Sequence, residues 1–169
     1  MSLSVILANY NHAKDLPRSL RAMLRQGPAL SELIVVDDGS TDSSIDVIES
    51  LQREHPVIRL VKHGQNRGAP AAFNTGLAAA GSEFVYFAAA DDFVLGDFFA
   101  VATSALSQFP EAAYFCGQVV CVDRDGNVTG FRPLFQPLKS DAFISPAEAR
   151  DMARKIDNWA VGPSVVYRR

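Results

Sequence analysis

The feature that most constrains this chain is a repeated alternation between short, unbroken apolar runs and stretches with helical spacing. Ser4–Ala8 reads as a buried strand, and Leu33-Ile34-Val35-Val36 is a second continuous apolar run. A strand without a polar face must be covered on both sides, as in a parallel sheet packed between helices. Val57–Val61 and Phe84–Phe87 supply two further strands. Between them, Leu16, Leu20, Met23 and Leu24 recur at helical spacing until Gly27-Pro28 ends the run. Ile45, Ile48 and Leu51 mark a second helix, with Ser40 or Thr41 as its cap and Asp42 nearby. Ala69–Ala80 is an alanine-rich helix closed by Gly81, and Asp97 can cap a helix carrying Phe98, Val101, Ala102, Ala105 and Leu106. The βαβαβαβ order predicts an α/β fold: a Rossmann-like, mostly parallel sheet flanked by helices, with ligands at the carboxyl ends of its strands.

After Pro110 the character changes. Ala112–Val122 reads as one strand, Asp125-Gly126 as a hairpin turn into Val128, and Phe131–Ala142 as irregular chain. Ser145-Pro146-Ala147-Glu148 fits a capping box that opens a helix to about Ile156, and Val165-Val166-Tyr167 reads as a last strand. A length of 169 residues with 48% apolar content suits one domain with a single core. The formal charge of −3 offers no field for a phosphate backbone, so nucleic acid is not an expected partner. No apolar stretch is long enough to cross a bilayer, so no integral membrane segment is expected. Cys116 and Cys121, read as lying on one strand, would face opposite sides, which disfavours a mutual disulfide. Two free thiols and the lack of a signal-like N-terminus give the cytoplasm as the expected compartment, its membrane face included.

Three polar clusters follow three of the strands: Asn9-Tyr10-Asn11-His12, Asp37-Asp38-Gly39-Ser40 and Asp91-Asp92. Strand carboxyl ends share one edge of a parallel sheet, so these clusters should converge. Adjacent carboxylates repel one another unless a cation or hydrogen-bond donors accompany them. Hard oxygen ligands suit Mn2+ or Mg2+, commonly completed by substrate phosphates, which points to a metal–diphosphate site. The competing reading of each acidic pair is a helix cap or a turn. In Asn66-Arg67-Gly68, Arg67 offers a counter-charge to phosphate oxygens and Gly68 permits close backbone approach. Tyr10 can stack on a flat base or simply pack. His12 reads as structural or helix-starting, and His55 and His63, set among polar residues, read as solvated surface. A P-loop, a G-x-G-x-x-G after the first strand and a G-x-S-x-G elbow are all missing.

Taken together, these blocks resemble the family 2 glycosyltransferases, which have the A-type glycosyltransferase fold. The resemblance is carried by Ser4-Val5-Ile6-Leu7-Ala8-Asn9-Tyr10-Asn11, by Val35-Val36-Asp37-Asp38-Gly39-Ser40-Thr41-Asp42, by Asn66-Arg67-Gly68 with Asn74-Thr75-Gly76, and by Phe87-Ala88-Ala89-Ala90-Asp91-Asp92. It is close over about residues 2–110, the donor-nucleotide part, and looser over 111–169, the start of an acceptor-side part of the same domain. The resemblance implies transfer of a sugar from a nucleotide-diphosphate donor, UDP-type favoured, to an acceptor hydroxyl with inversion. A saccharide, a lipid-linked molecule or a protein would each serve as acceptor. Asp38 would then bond the base, with Tyr10 and the Ala8 backbone framing it. Asp91 and Asp92 would divide ribose and metal between them, with Mn2+ or Mg2+ as cofactor, and Arg67 would contact phosphate. One departure is Ala89, preceded by Ala88, where the family's metal motif carries its leading aspartate. The family's base lies on a helix beyond a segment resembling Gly162–Arg169, which gives the expectation of a C-terminally truncated, inactive fragment. Asp141, Glu148, Asp151 and Asp157 sit in no matching motif. A non-catalytic nucleotide-sugar-binding module shares every donor-side residue. A sugar-phosphate nucleotidyltransferase would need a glycine-rich loop after the first strand, and Ala8–Ala13 has no glycine.

Overall fold

The computed structural model of the chain describes residues 2–123, 125–132, 142–155 and 164–169. In chain order the elements are β1 (Leu3–Asn9), α1 (Leu16–Leu24), β2 (Leu30–Asp37), α2 (Ser44–Glu54), β3 (Ile58–Lys62), α3 (Ala69–Ala79) and β4 (Phe84–Ala89). They are followed by α4 (Phe98–Gln108), β5 (Tyr114–Cys116), β6 (Val119–Val122), β7 (Val128–Arg132), α5 (Pro146–Lys155) and β8 (Val165–Arg168). The main sheet has six strands in the order β3-β2-β1-β4-β8-β5. Its first four strands are parallel, and β8 runs antiparallel to both β4 and β5. This is the α/β, mostly parallel, helix-flanked sheet that the apolar runs predict.

Alternation along β1 and β2 explains why those runs carry no polar face. Val5, Leu7, Leu33 and Val35 pack in one cluster with Leu16, Leu20 and Met23 of α1, Ile48 and Leu51 of α2, and Phe99, Ala102 and Leu106 of α4. Their neighbours Ile6, Ile34 and Val36 turn the other way, onto Ala72, Phe73 and Leu77 of α3. Both faces are dry, so the central positions Val5–Leu7 of β1 and Leu33–Val36 of β2 are all apolar.

Several local expectations hold. Asp123 accepts the backbone N–H groups of Asp125 and Asn127 at the hairpin turn, and Gly126 takes a φ of +88°. At α5, Ser145 and Glu148 bond reciprocally, as a capping box requires. Elsewhere the structure differs. The predicted strand 112–122 breaks at Gly117, whose N–H donates to the Ser164 carbonyl at 2.9 Å. Tyr114–Cys116 therefore joins the main sheet, while Val119–Val122 pairs with β7 in a separate hairpin. Cys116 and Cys121 thus lie on different strands of different sheets, and the alternation expected of them does not apply. Helix α2 starts at Ser44, whose N–H is met by Asp42 Oδ1, leaving Ser40 and Thr41 for other work. Asp97 makes no side-chain cap to α4; Gln26 Oε1 accepts the Phe99 N–H instead, at 3.1 Å. Most of the span 131–142, and the expected helix end at Ile156, lie outside the described residues, as do Asp141 and Asp157.

Candidate functional site

The register of the parallel strands brings their carboxyl ends level. Asn9 is the partner of Asp37, Asp37 the partner of Lys62, and Ala8 the partner of Ala89. The segments beginning at Tyr10, Asp38, His63 and Ala90 therefore leave the sheet along one rim. With β1 between them, the exits of β2 and β4 stand about 10 Å apart, twice the usual interstrand spacing.

Asp37 and Asp38 have separate roles there. Asp37 is fully buried, and its carboxylate accepts the Ser40 N–H at 2.9 Å, the Ser40 hydroxyl at 2.6 Å and Asn9 Nδ2 at 2.7 Å. Asn11 adopts a left-handed φ of +59°, which lets its Oδ1 accept the Thr41 N–H at 2.8 Å while its own N–H donates to Ser40 Oγ at 2.9 Å. The Ala13 N–H adds a bond to Asp42 Oδ2. These bonds lock the exits of β1 and β2 together and use up Asp37, which is the turn-forming role weighed for the pair.

The Asp38 carboxylate is 3% exposed and turns toward the exit of β3. Its Oδ1 lies 2.6 Å from His63 Nδ1, and its Oδ2 accepts the N–H groups of Arg67 at 2.9 Å and Gly68 at 2.7 Å. Burial pushes this carboxyl up, but His63 and the two backbone donors outweigh it and hold it below the usual aspartate value. Asp38 is therefore an ionised acceptor. Gly68 reaches it with a φ of +87°, and an added Cβ there would meet only ordinary contacts, so the glycine serves the backbone turn rather than a close approach. Gly39 has both constraints: a φ of +78°, and a Cβ position only 2.7 Å from the Gln65 carbonyl carbon. Along this line the loops after β2 and β3 touch backbone to backbone.

His63 is not solvated. Its side chain is 6% exposed, and Nε2 lies 2.9 Å from Thr75 Oγ1 on α3. His12 fits its helix-start reading, since its carbonyl accepts the Asp15 and Leu16 N–H groups. Tyr10 is 42% exposed at the rim, Arg67 is exposed, and Ala8 is half-buried at the end of β1.

After β4, Asp91 is exposed and Asp92 half-buried. Burial, and then the charge of Asp91, push the Asp92 carboxyl above its ordinary value. The loop carrying both is anchored from α1 and its exit. Gln26 Nε2 donates to the Gly96 carbonyl at 2.6 Å, and the Arg18 guanidinium lies over the Phe93 ring at 3.8 Å. Among the described residues no three His, Cys, Asp or Glu side chains cluster as metal ligands. Two adjacent carboxylates, one destabilised by the other, fit a hard divalent ion only if other oxygens complete its shell, because such ions take six or more. A surface hollow of about 540 Å³ lined by Pro28, Ala29, Ala100 and Thr103 lies away from these residues and has no ionisable group, so the rim remains the candidate site. Of the acids that follow β7, Glu148 serves its own capping box and Asp151 lies 3.9 Å from Arg154.

Comparison with known proteins decides the family. The profile described as Glycosyl transferase family 2 matches residues 4–153. The chain belongs to this family. An uncharacterized glycosyltransferase of Nostoc sp. is 46% identical over 92 residues, covering 54% of this chain and 29% of the relative. The S. aureus TarS fragment 1–349, in complex with UDP-GlcNAc, superposes with a TM-score of 0.71 at 23% identity, over 99% of this chain and 45% of that one. The mannosyltransferase PcManGT from Pyrobaculum calidifontis, in complex with GDP-Man and Mn2+, gives 0.65 at 23% identity, over 99% and 44%. These likenesses establish the fold. The family 2 chain described here spans less than half the length of each of these proteins. Within it, sequence reasoning missed three things: the His63–Thr75 link to Asp38, the Asn11 latch and the Gln26 anchor. His63 carried one usable signal, its place directly after a strand on the same edge as the other clusters.

Proposed function

We propose that this chain is the donor-binding part of a glycosyltransferase that moves a sugar from a UDP-type donor to an acceptor hydroxyl, with inversion. Asp38 carries this reading. A carboxylate offers about four lone-pair positions, and His63, Arg67 and Gly68 fill three of them. The remaining acceptor position suits the single ring N–H of a uracil base, and the exposed Tyr10 ring offers it a flat surface. Ala8 frames the base from the end of β1. Arg67 supplies positive charge for the diphosphate, while Asp91 takes ribose or metal and Asp92 the other. Asp91 and Asp92 would hold Mn2+ or Mg2+ together with diphosphate oxygens, and such an ion supplies Lewis-acid stabilisation of the leaving phosphate. Residues 2–110 form the donor part and 111–169 begin the acceptor part; a saccharide, lipid-linked or protein acceptor suits the chemistry equally. No helix among the described residues is long and apolar enough to cross a membrane. A cytoplasmic protein, working also at the inner membrane face, is the matching setting.

Thermal unfolding with UDP and Mn2+ tests the reading. Ligand at a hundred times its Kd adds about 2.7 kcal/mol, or roughly 5–10 °C in Tm for a domain of this size. The Asp91→Ala, Asp92→Ala double variant keeps a shift with UDP alone and loses the increment from Mn2+. If no nucleoside diphosphate shifts the wild-type Tm, the reading fails.

A further inference from the structure

His63 is the residue whose structure and surroundings most exceed what the fold requires. The two Asp38 bonds to the Arg67 and Gly68 amides already anchor Oδ2, yet the fold also buries an imidazole against Oδ1. The ring is held at both nitrogens: Asp38 Oδ1 at 2.6 Å on one side and Thr75 Oγ1 at 2.9 Å on the other. The link runs from the exit of β2, through the exit of β3, to α3, so three separate elements fix one carboxylate. With Nδ1–H donating to ionised Asp38, Nε2 accepts the Thr75 hydroxyl proton, and this pairing sets both tautomer and ring rotation. The consequence falls on the position of Oδ1 left free. Its direction is set by the ring rather than by rotation of the carboxylate.

We propose that His63 and Thr75 are positioning residues that aim Asp38 at a ring N–H of the donor base, and so set the preference for uracil over cytosine. The inference rests on the reading of Asp38 as the base contact. Uracil presents a donor at that ring nitrogen, whereas cytosine presents a lone pair. A fixed, buried carboxylate accepts the first and repels the second, which is specificity built from an unfavourable contact as much as a favourable one. A carboxylate freed to rotate, or to admit water, discriminates less.

The test is the ratio of UDP to CDP affinity, measured by calorimetry in the presence of Mn2+. His63→Ala is expected to narrow the ratio roughly tenfold, the value of one hydrogen bond of ordinary strength. Thr75→Val narrows it by a smaller factor, and Thr75→Ser restores it. His63→Asn, which keeps an N–H donor toward Asp38, recovers most of the wild-type ratio and serves if the alanine variant does not fold. An unchanged ratio in the folded alanine variant overturns the proposal. So do equal losses of UDP and CDP affinity, because a purely structural role lowers both alike. Wild-type protein that binds UDP and CDP equally overturns it too, while leaving the donor site standing. Wild-type protein that binds neither nucleotide removes the donor-site reading itself.

Discussion

Replacing Asp38 by alanine strips the acceptor from three donors at once: the His63 ring and the N–H groups of Arg67 and Gly68. An orphaned buried donor costs about 1–3 kcal/mol, and the small side chain lets water reach some of them. The low end for each gives about 3 kcal/mol in all, against a usual domain stability of about 5–15 kcal/mol. Asp38→Asn keeps the shape and one acceptor oxygen but sets an NH2 group against a donor, and about 2 kcal/mol is expected. Urea unfolding reads both as a lower midpoint at unchanged slope. The charge adds a pH signature. The folded carboxyl sits below its ordinary value, so the unfolded chain takes up the proton more readily. The contribution of ionised Asp38 is thus complete above the ordinary aspartate pKa of about 3.9, and is lost as pH falls through the lower folded value. The gap between wild type and Asp38→Asn should shrink as pH falls below about 4. An alanine variant within about 0.5 kcal/mol of wild type at neutral pH, or a gap that widens below about pH 4, would refute this account of Asp38.

Three further expectations follow from the loop anchors. Gly39→Ala forces a Cβ to 2.7–2.8 Å from the Gln65 and Asn66 backbone at a φ of +78°, and should cost about 2 kcal/mol in urea unfolding. Gln26→Ala removes both the tie to the Gly96 carbonyl and the cap on Phe99. It should cost about 1–2 kcal/mol and speed hydrogen exchange at the start of α4 before other helices respond. Arg168→Met deletes bonds to the Ala112 carbonyl at 3.1 Å and to Glu83 at 2.7 Å, with the Leu106 carbonyl also losing its partner. A loss of about 2 kcal/mol, accompanied by weaker protection of β8, is the expected result.

What could be seen in the sequence was what is written locally. Leu33–Val36 and Val5–Ala8 announce strands covered on both faces because each residue there packs into one of the two apolar clusters shared with the helices. The capping box at Ser145 and the turn at Asp125-Gly126 are self-contained, so their residues suffice to find them. Long-range pairing is different. Nothing near Gly117 says that the partner of its N–H is Ser164, so the strand around it looked continuous. Likewise α4 takes its cap from Gln26, a residue 73 positions earlier in the chain, and the adjacent Asp97 was the wrong candidate. His63 stands between Lys62 and Gly64, and a polar neighbourhood normally means water. Only the approach of Asp38 and Thr75 turns it into a buried ring. The acidic rim was legible because the topology of parallel strands dictates it; the division of labour between Asp37 and Asp38 was not, because it depends on which loops close over each.

The antiparallel strand β8 has a practical consequence. Phe84, Val85 and Tyr86 of β4 owe their outer hydrogen bonds to Arg168, Tyr167 and Val166. A polypeptide cut after α4, where the rim motifs end, would leave β4 as a naked apolar border inviting other chains to add on. The rim motifs and a self-sufficient folding unit therefore have different limits in this protein. Between Gly117 and Ser164, by contrast, the chain leaves and rejoins the sheet at points one hydrogen bond apart. Because closing a longer loop costs little more than closing a shorter one, chain added between these two points need not disturb the pairing of β5 with β8.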